Sequence, residues 1–175
     1  MKIKIGIFLI IAAFVLSGAS CVRAPQMPGV EVSGDWREFE LEEVDSGQTF
    51  KISDFAGKTI FLESFAVWCP TCLKQQKEMK KIVDENIVHI SLDTDPNESA
   101  AIVRDHKTEN DLDWYFAVAP IEMTQLLIDE FGNKIVNAPA APVVLICKDQ
   151  SYRLLKRGVK DADELREEIE EGCNE

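Results

Sequence analysis

The sequence predicts a three-layer α/β sandwich, in which a central mixed β-sheet is flanked by helices. Three observations predict this class. Apolar runs that suit buried strands alternate with stretches of helical spacing along most of the chain. The run Thr59–Phe65 leads through Trp68-Cys69-Pro70-Thr71-Cys72 directly into a helical stretch, as in a strand–helix–strand unit. Near the end, two apolar runs separated by Asp149-Gln150 predict an antiparallel hairpin, so the sheet should be mixed.

The individual elements follow from local signals. Asp95-Pro96, with Glu98 behind it, is typical of a helix start, and Asp161 with Glu164 forms a capping box. The predicted strands are an edge segment at 36–41, then 49–52 after a turn at 45–47, Thr59–Phe65, 87–92, 114–118, 143–147 and 152–156. The predicted helices are 73–84, 95–106, 120–131 and 161–172.

Composition allows one domain with a real core. The chain has 175 residues, of which 46% are hydrophobic and 29% charged, which excludes disorder as the overall description. The net charge of -12 argues against nucleic acid or anionic lipid as a binding partner. We expect a monomer.

The N-terminus has the layout of a secretory leader. Lys2 and Lys4 precede an apolar run at 5–16, which is too short for a membrane span of roughly 20 residues. Cys21 lies where a lipoprotein signal places its lipid-modified cysteine, although Gly18 occupies a site where an aliphatic residue is usual. Ordinary cleavage and an uncleaved anchor remain alternatives. All three place the domain outside the cytoplasm, attached to the membrane or, if cleaved, secreted.

The domain boundaries follow from this leader. Residues 1–20 are predicted to be the leader or anchor, and residues 21–34, which contain several Pro and Gly, a linker. Residues 35–175 should form the folded domain, so the chemistry of the protein should lie there.

The Cys-x-x-Cys pair carries the predicted chemistry. A strand that feeds into a helix places Cys69 at the helix N-terminus, where free N–H groups and the helix dipole favour a thiolate. We therefore expect Cys69 to be an accessible nucleophile with a lowered pKa. Cys72, one turn further, can reach the same sulfur and close a disulfide. Pro70 suits the first helical turn.

With these residues in view, the chain resembles the thioredoxin superfamily, and within it the membrane-tethered TlpA/ResA-type branch. The segment from Gly47 to Lys58 resembles that branch's lead-in, and residues 65–72 follow at the expected distance. The similarity runs from about Phe39 to Val159.

The resemblance implies a thioredoxin-like fold, a redox-active Cys69–Cys72 disulfide with no other cofactor, and protein thiols or disulfides as substrates. It also implies that Ala141-Pro142 is a cis peptide facing the cysteines, with Pro139 as a competitor. Together with Trp68, Pro70 and Thr71, that loop would contact the substrate. A plain packing role is the alternative for Trp68.

One departure from this branch concerns the carboxylates. The branch often has Glu three residues after the second cysteine, whereas this chain has Gln75 there. Glu63 instead lies within the buried strand, six residues before Cys69. Burial should raise its pKa, so that it can accept the proton of Cys72. The alternatives are that Glu63 reaches the sheet edge or pairs with a lysine such as Lys58.

The leading functional hypothesis is extracytoplasmic thiol–disulfide exchange with an unidentified redox partner, with a lean towards a reductant. Two other classes stay open. In a zinc or copper protein, Cys69 and Cys72 would bind metal with help from Cys147, Cys173, His89 or His106, although each histidine is expected to be an ordinary surface or strand residue. A thiol peroxidase would need Thr at position 66, where this chain has Ala66. An inert binding domain is a fourth hypothesis.

The two remaining cysteines leave a structural question open. Cys147, in a predicted central strand, and Cys173, after the last helix, could form a structural disulfide if their Cα atoms come within about 7 Å. Cys147 could equally be a buried thiol, as is common for cysteines in strands.

Overall fold

The computed structural model describes residues 33–173. The predicted leader, Cys21 and all but the last two residues of the linker therefore lie outside the described residues. The strands are β1 (Leu41–Glu42), β2 (Thr49–Phe50), β3 (Thr59–Phe65), β4 (Ile87–Asp93), β5 (Tyr115–Val118), β6 (Val143–Ile146) and β7 (Tyr152–Leu154). The helices are α1 (Pro70–Met79), α2 (Ala100–Glu109), α3 (Ile121–Phe131) and α4 (Ala162–Gly172).

Five of these strands form one mixed sheet in the order β5-β4-β3-β6-β7, while β1 and β2 form a separate hairpin. β3 is parallel to β4 and antiparallel to β6. β4 and β5 are parallel, and β6 and β7 are antiparallel. The predicted mixed sheet is therefore confirmed, with the strand that leads to the cysteines at its centre.

Helices cover both faces of the sheet, as predicted. On one face, Phe61 and Leu145 pack against Leu165 of α4 and Met79 of α1. On the other face, Ile60, Leu62 and their neighbours pack against α3 through the side chains of Met123, Leu126 and Leu127. A third apolar cluster, around Phe65 and Phe116, joins the cysteines to Val103 of α2. The cysteine pair is thus packed at the carboxyl end of the central strand.

Several predicted limits of strands and helices were wrong. The segment predicted as an edge strand begins instead with a 3-10 turn, Trp36–Glu38, because Asp35 accepts a hydrogen bond from the Arg37 amide. The second predicted strand gives way to another 3-10 turn, Ile52–Phe55, closed by Asp54 accepting from the Lys51 amide. Helix α1, which follows Cys69, ends at Met79 rather than near residue 84.

The predicted helix start at Asp95 was also wrong. α2 begins at Ala100, after the cap residue Ser99. The Asp95 oxygens accept hydrogen bonds from the Trp68 indole and from Asn97. Glu98 Oε2 accepts from the Val67 amide at 2.7 Å. The helix-start residues are therefore used in a loop that contacts the segment preceding Cys69.

Other predicted signals agree with the structure. α4 begins with the predicted capping box of Asp161 and Glu164. α3 ends before Gly132, whose φ of 72° suits a residue without a side chain. Within residues 33–173, no helix is both long and apolar enough to cross a membrane.

Candidate active site

The two cysteines form a compact pair at the start of α1. Cys69 is the cap residue, and its Sγ accepts a hydrogen bond of 3.2 Å from the Cys72 amide. Cys72 Sγ lies 2.6 Å from Cys69 Sγ, within hydrogen-bonding reach of it. Both cysteines are free, and Pro70 occupies the first helical position. The amide and the thiol of Cys72 are therefore both placed to hydrogen-bond the Cys69 sulfur.

The pair is more deeply buried than the sequence indicated. Cys69 is 1% exposed, and Cys72 is fully buried. The expectation of an accessible Cys69 is therefore wrong for this conformation, since Cys69 packs in the apolar cluster around Phe65. Burial raises the pKa of the Cys72 thiol, and its hydrogen bond to Cys69 and the charge of Glu63 raise it further.

The predicted substrate-contact residues divide into two groups. Trp68 and Pro70 are exposed and Thr71 is half-buried, whereas Ala141 and Pro142 are buried. The Trp68 indole donates a hydrogen bond of 2.7 Å to Asp95 Oδ2. Trp68, Pro70 and Thr71, which lie next to the cysteines in the sequence, therefore form the solvent-facing side of the site.

The predicted cis peptide at Pro142 was wrong, since none of the described residues is joined by a cis bond. The chain instead reverses through the left-handed backbone of Ala141, with φ 44° and ψ 60°. Ala141 follows a 3-10 turn, Ala138–Ala140, and its amide donates to the Ala138 carbonyl. The same turn still faces the pair, because the Ala138 carbonyl lies 3.2 Å from Cys72 Sγ.

Glu63 lies inside the protein, as the sequence indicated. It is fully buried on β3, where Oε2 accepts from Gln76 Nε2 at 3.0 Å and from Ser91 Oγ at 2.9 Å. Oε1 has no hydrogen-bond partner among the described residues. Desolvation raises the pKa of Glu63 to about 8, against the opposing effects of these hydrogen bonds and of Lys160. Glu63 therefore neither reaches the sheet edge nor pairs with Lys58.

Sequence reasoning missed Lys160, which is 5% exposed. Its ammonium group donates to three carbonyl oxygens, those of Ala141, Lys156 and Gly158. The side chain of Gln75 forms two hydrogen bonds to the Lys160 backbone. Gln75 Oε1 accepts from the Lys160 amide at 2.8 Å, and Gln75 Nε2 donates to the Lys160 carbonyl. Lys160 precedes an acidic helix, and nothing in the surrounding sequence indicates that its side chain is buried.

His106 was also misjudged as an ordinary surface or strand residue. It lies on α2, is 7% exposed, and its Nε2 is 2.8 Å from Gln76 Oε1. Desolvation lowers its pKa, so the neutral ring is favoured. Gln76 therefore connects His106 to Glu63. His89, on β4, is half-buried and hydrogen-bonded to the Ile82 carbonyl.

An acidic loop supports the segment before Cys69. Asp93 is fully buried at the end of β4, and its pKa is raised to about 7, chiefly by desolvation and also by Glu98 and Asp95. Asp93 Oδ1 accepts from the Asp95 amide at 3.0 Å. Glu98 accepts from the Val67 amide and Asp95 from the Trp68 indole, so this loop fixes the residues that precede Cys69.

An open groove runs beside Trp68. Its part nearest the cysteines has a volume of about 340 Å³ and is lined by Trp68, Pro96, Ile128 and Ala138, among others. A second part of about 520 Å³ continues along α3 past Ile121, which is 74% exposed. The groove thus offers an apolar surface beside Trp68 and close to the cysteine pair.

Cys147 and Cys173 form a disulfide that joins the end of β6 to the end of α4, with Cα atoms 5.3 Å apart.

In the described part of the chain, no three His, Cys, Asp or Glu side chains are grouped as a metal site would require. In particular, the structure does not bring His89 or His106 into a ligand group with Cys69 and Cys72.

Comparison with known proteins places these features in a family. The Redoxin family model matches residues 30–164. A curated relative named thiol:disulfide interchange protein DsbE, from Pseudomonas aeruginosa, is 25% identical over 103 residues, which is 58% of this chain and 57% of the relative. A protein of the same name from Pseudomonas fluorescens is 22% identical over 102 residues, with the same shares. The chain therefore spans little more than half the length of these relatives.

Solved structures agree on the fold. A thioredoxin-family thiol:disulfide interchange protein from Chlorobium tepidum superposes with a TM-score of 0.63 at 15% identity, covering 78% of this chain and 93% of its own. A secreted disulfide oxidoreductase from Mycobacterium tuberculosis gives 0.58 at 14% identity, covering 79% and 99%. The fold is therefore thioredoxin-like, as the resemblance implied. Since the family model covers most of its length, the chain belongs to the Redoxin family.

Proposed function

We propose that this protein is a thiol–disulfide oxidoreductase that exchanges disulfides with protein substrates through Cys69 and Cys72. One observation carries the proposal: the Cys72 thiol lies 2.6 Å from Cys69 Sγ, while the Cys72 amide donates to the same sulfur at the start of α1. This arrangement favours a thiolate at one sulfur and keeps the second within reach of it. The names of the curated relatives support the same activity.

The reaction needs only these two thiols. The Cys69 thiolate attacks one sulfur of a target disulfide, which forms a Cys69–target bond and releases the other target sulfur as a thiolate. The Cys72 thiolate then attacks Cys69 Sγ, which forms the Cys69–Cys72 disulfide and releases the second target thiol. Two electrons pass to the target, so no further cofactor is required.

Glu63 is the proposed acceptor of the Cys72 proton. Its Oε1 has no partner among the described residues, and its charge acts on the Cys72 thiol. A carboxyl whose pKa is raised to about 8 is better matched to a thiol than an ordinary glutamate is. The transfer runs directly or through one water molecule when Cys72 attacks the mixed disulfide.

Direction and location belong to the same proposal. The lead-in from Gly47 to Lys58, similar to that of the TlpA/ResA-type branch, supports a reductant. The leader-like residues 1–20 support a site of action outside the cytoplasm, with lipid at Cys21 or the N-terminal segment as the attachment to the membrane. Substrate polypeptides would lie in the groove beside Trp68. An apolar side chain of the substrate would then lie next to Cys69 and Cys72.

The test is reduction of insulin disulfides by the reduced protein. The Cys69→Ser variant should lose this activity, and the Cys72→Ser variant should stop at a mixed disulfide that can be isolated. The matched control is the double variant Cys147→Ser, Cys173→Ser, which removes the other cysteine pair and should retain the activity. Insulin reduction at the wild-type rate by Cys69→Ser would rule the proposal out.

A further inference from the structure

The buried lysine before α4 connects the parts of the site. Lys160 lies two residues before the first residue of α4, and Gln75 of α1 bonds to both its amide and its carbonyl, at 2.8 and 3.1 Å. Gln75 is fully buried and lies one turn after Cys72. The backbone of Lys160 is therefore fixed to the helix that carries the cysteines.

The ammonium group of Lys160 is fixed in turn. Its three protons match three carbonyl acceptors, Ala141 at 3.0 Å, Lys156 at 3.0 Å and Gly158 at 2.6 Å. The Ala141 carbonyl belongs to the turn whose Ala138 carbonyl faces Cys72. Burying an ammonium group that has only carbonyl partners costs free energy of folding. A functional role for Lys160 would account for this cost.

The charge of Lys160 acts on Glu63. This attraction favours the ionised form of Glu63, while Glu63 together with Glu164 and Glu168 of α4 favours the charged form of Lys160. The charge of Glu63 also raises the pKa of the Cys72 thiol. Burial opposes both charges, raising the pKa of Glu63 and lowering that of Lys160, each to about 8. Each charge therefore makes the other less costly.

We propose that Lys160 is a positioning residue for the exchange reaction: it holds the Ala141 turn against α1 and favours the ionised Glu63 that takes the proton of Cys72. The inference rests on the proposed function, because it assigns Lys160 a part in the second step of that reaction. Lys160 contacts neither sulfur directly and acts through Glu63 and the turn.

The experiment follows the two steps separately. Reduced protein reacts with an aromatic disulfide reagent whose thiolate product is coloured, so attack by Cys69 releases one equivalent and attack by Cys72 a second. The rate of the second release is measured against pH for the wild type, Lys160→Met and Lys160→Arg. Lys58→Met is the matched control, since it removes the exposed lysine first considered as a partner of Glu63.

We expect Lys160→Met to move the pH profile of the second release upward by about one pH unit, which lowers its rate at pH 7 about tenfold. Lys160→Arg should stay nearer the wild type because it keeps the charge, and Lys58→Met should match the wild type. A Lys160→Met profile that superimposes on the wild-type profile would overturn the inference. Failure of the wild type to release two equivalents would instead overturn the proposed function.

A second measurement serves if Lys160→Met does not fold. Coupling between two sites is reciprocal, so removing the charge of Glu63 must change the titration of Lys160. Glu63→Gln preserves the shape of the side chain, and NMR of the lysine side chain follows its titration. The pKa of Lys160 should fall in Glu63→Gln. An unchanged Lys160 pKa would contradict the coupling on which the inference depends.

Discussion

The amide group of Gln76 donates from Nε2 to Oε2 of Glu63 at 3.0 Å, and this bond ties the redox helix to the buried carboxyl on β3. The other end of the same amide bonds to His106 on α2. Because both partners are buried, Gln76 fixes the carboxyl on the side of α1 that faces the sheet. The structure thus relates the carboxyl and the cysteines through one helix.

The Glu63→Gln variant tests the role of this carboxyl in the second chemical step. The amide keeps the shape of the side chain but cannot accept a proton, so the attack by Cys72 should slow by about tenfold or more near pH 7. Stopped-flow measurement of the second thiolate release gives this rate. The first release, which depends on Cys69, should change little. Equal slowing of both releases would contradict a specific role in the second step.

The pH dependence of stability tests the two raised carboxyl pKa values. Glu63 and Asp93 have folded-state pKa values of about 8 and about 7, above the ordinary values of 4.5 and 3.8. Since the unfolded chain releases these protons first, the free energy of unfolding should fall as pH rises from about 4 to about 8. The fall stops once pH passes the folded-state values.

Denaturant unfolding from pH 4 to pH 9 measures this effect. Glu63→Gln and Asp93→Asn should each remove part of the fall, on the order of 1 to 3 kcal/mol near pH 8. Glu170→Gln, at an exposed position of α4, is the matched control and should reproduce the wild-type slope. If both variants kept the full wild-type pH dependence, neither carboxyl would carry the raised folded-state pKa assigned to it.

The bond between Trp68 and Asp95 should matter for large substrates more than for small ones. Trp68→Phe keeps an aromatic ring but removes the indole donor, so the rate of insulin reduction should fall about fivefold, as expected for one hydrogen bond of about 1 kcal/mol. Asp95→Asn keeps an acceptor oxygen and should lose less. Reaction with a small aromatic disulfide serves as the control measurement. An equal loss with both substrates would argue against a docking role for Trp68.

The disulfide between Cys147 and Cys173 should contribute to stability without contributing to exchange. It closes a loop with a sequence separation of 26, for which chain entropy gives about 3.5 kcal/mol. The double serine variant should therefore unfold at lower denaturant concentration while reducing insulin at the wild-type rate. Thiol labelling of the folded Cys69→Ala, Cys72→Ala variant provides an independent check, and labelling of both Cys147 and Cys173 would contradict the bond.

The sequence predicted the sheet and the position of Cys69 at a helix start well because both depend on short-range signals. The boundaries of β3 matched the apolar run, and the capping box of Asp161 and Glu164 marked the start of α4. The helix start at Asp95 failed because its carboxylate serves the Trp68 indole, a contact between residues 27 apart. Local capping preferences do not reveal such tertiary competition.

The remainder of the site could not be predicted for a similar reason. Lys160 and Gln75 are 85 residues apart, and no local pattern announces that a lysine will be buried on three carbonyls. Burial of Glu63 was predictable, since it lies between apolar residues of a central strand. Its partners Gln76 and Ser91 were not, because they depend on how α1 and β4 pack around it.

The central claim is that Cys69 and Cys72 exchange an electron pair with a thiol partner. The most direct measurement is equilibration of the protein with a series of reduced and oxidised dithiothreitol ratios, followed by mass analysis of trapped thiols. We predict one reversible transition in which Cys69 and Cys72 lose two protons together, absent from both single serine variants. Persistence of that transition in Cys69→Ser, or its absence from the wild type, would contradict the account.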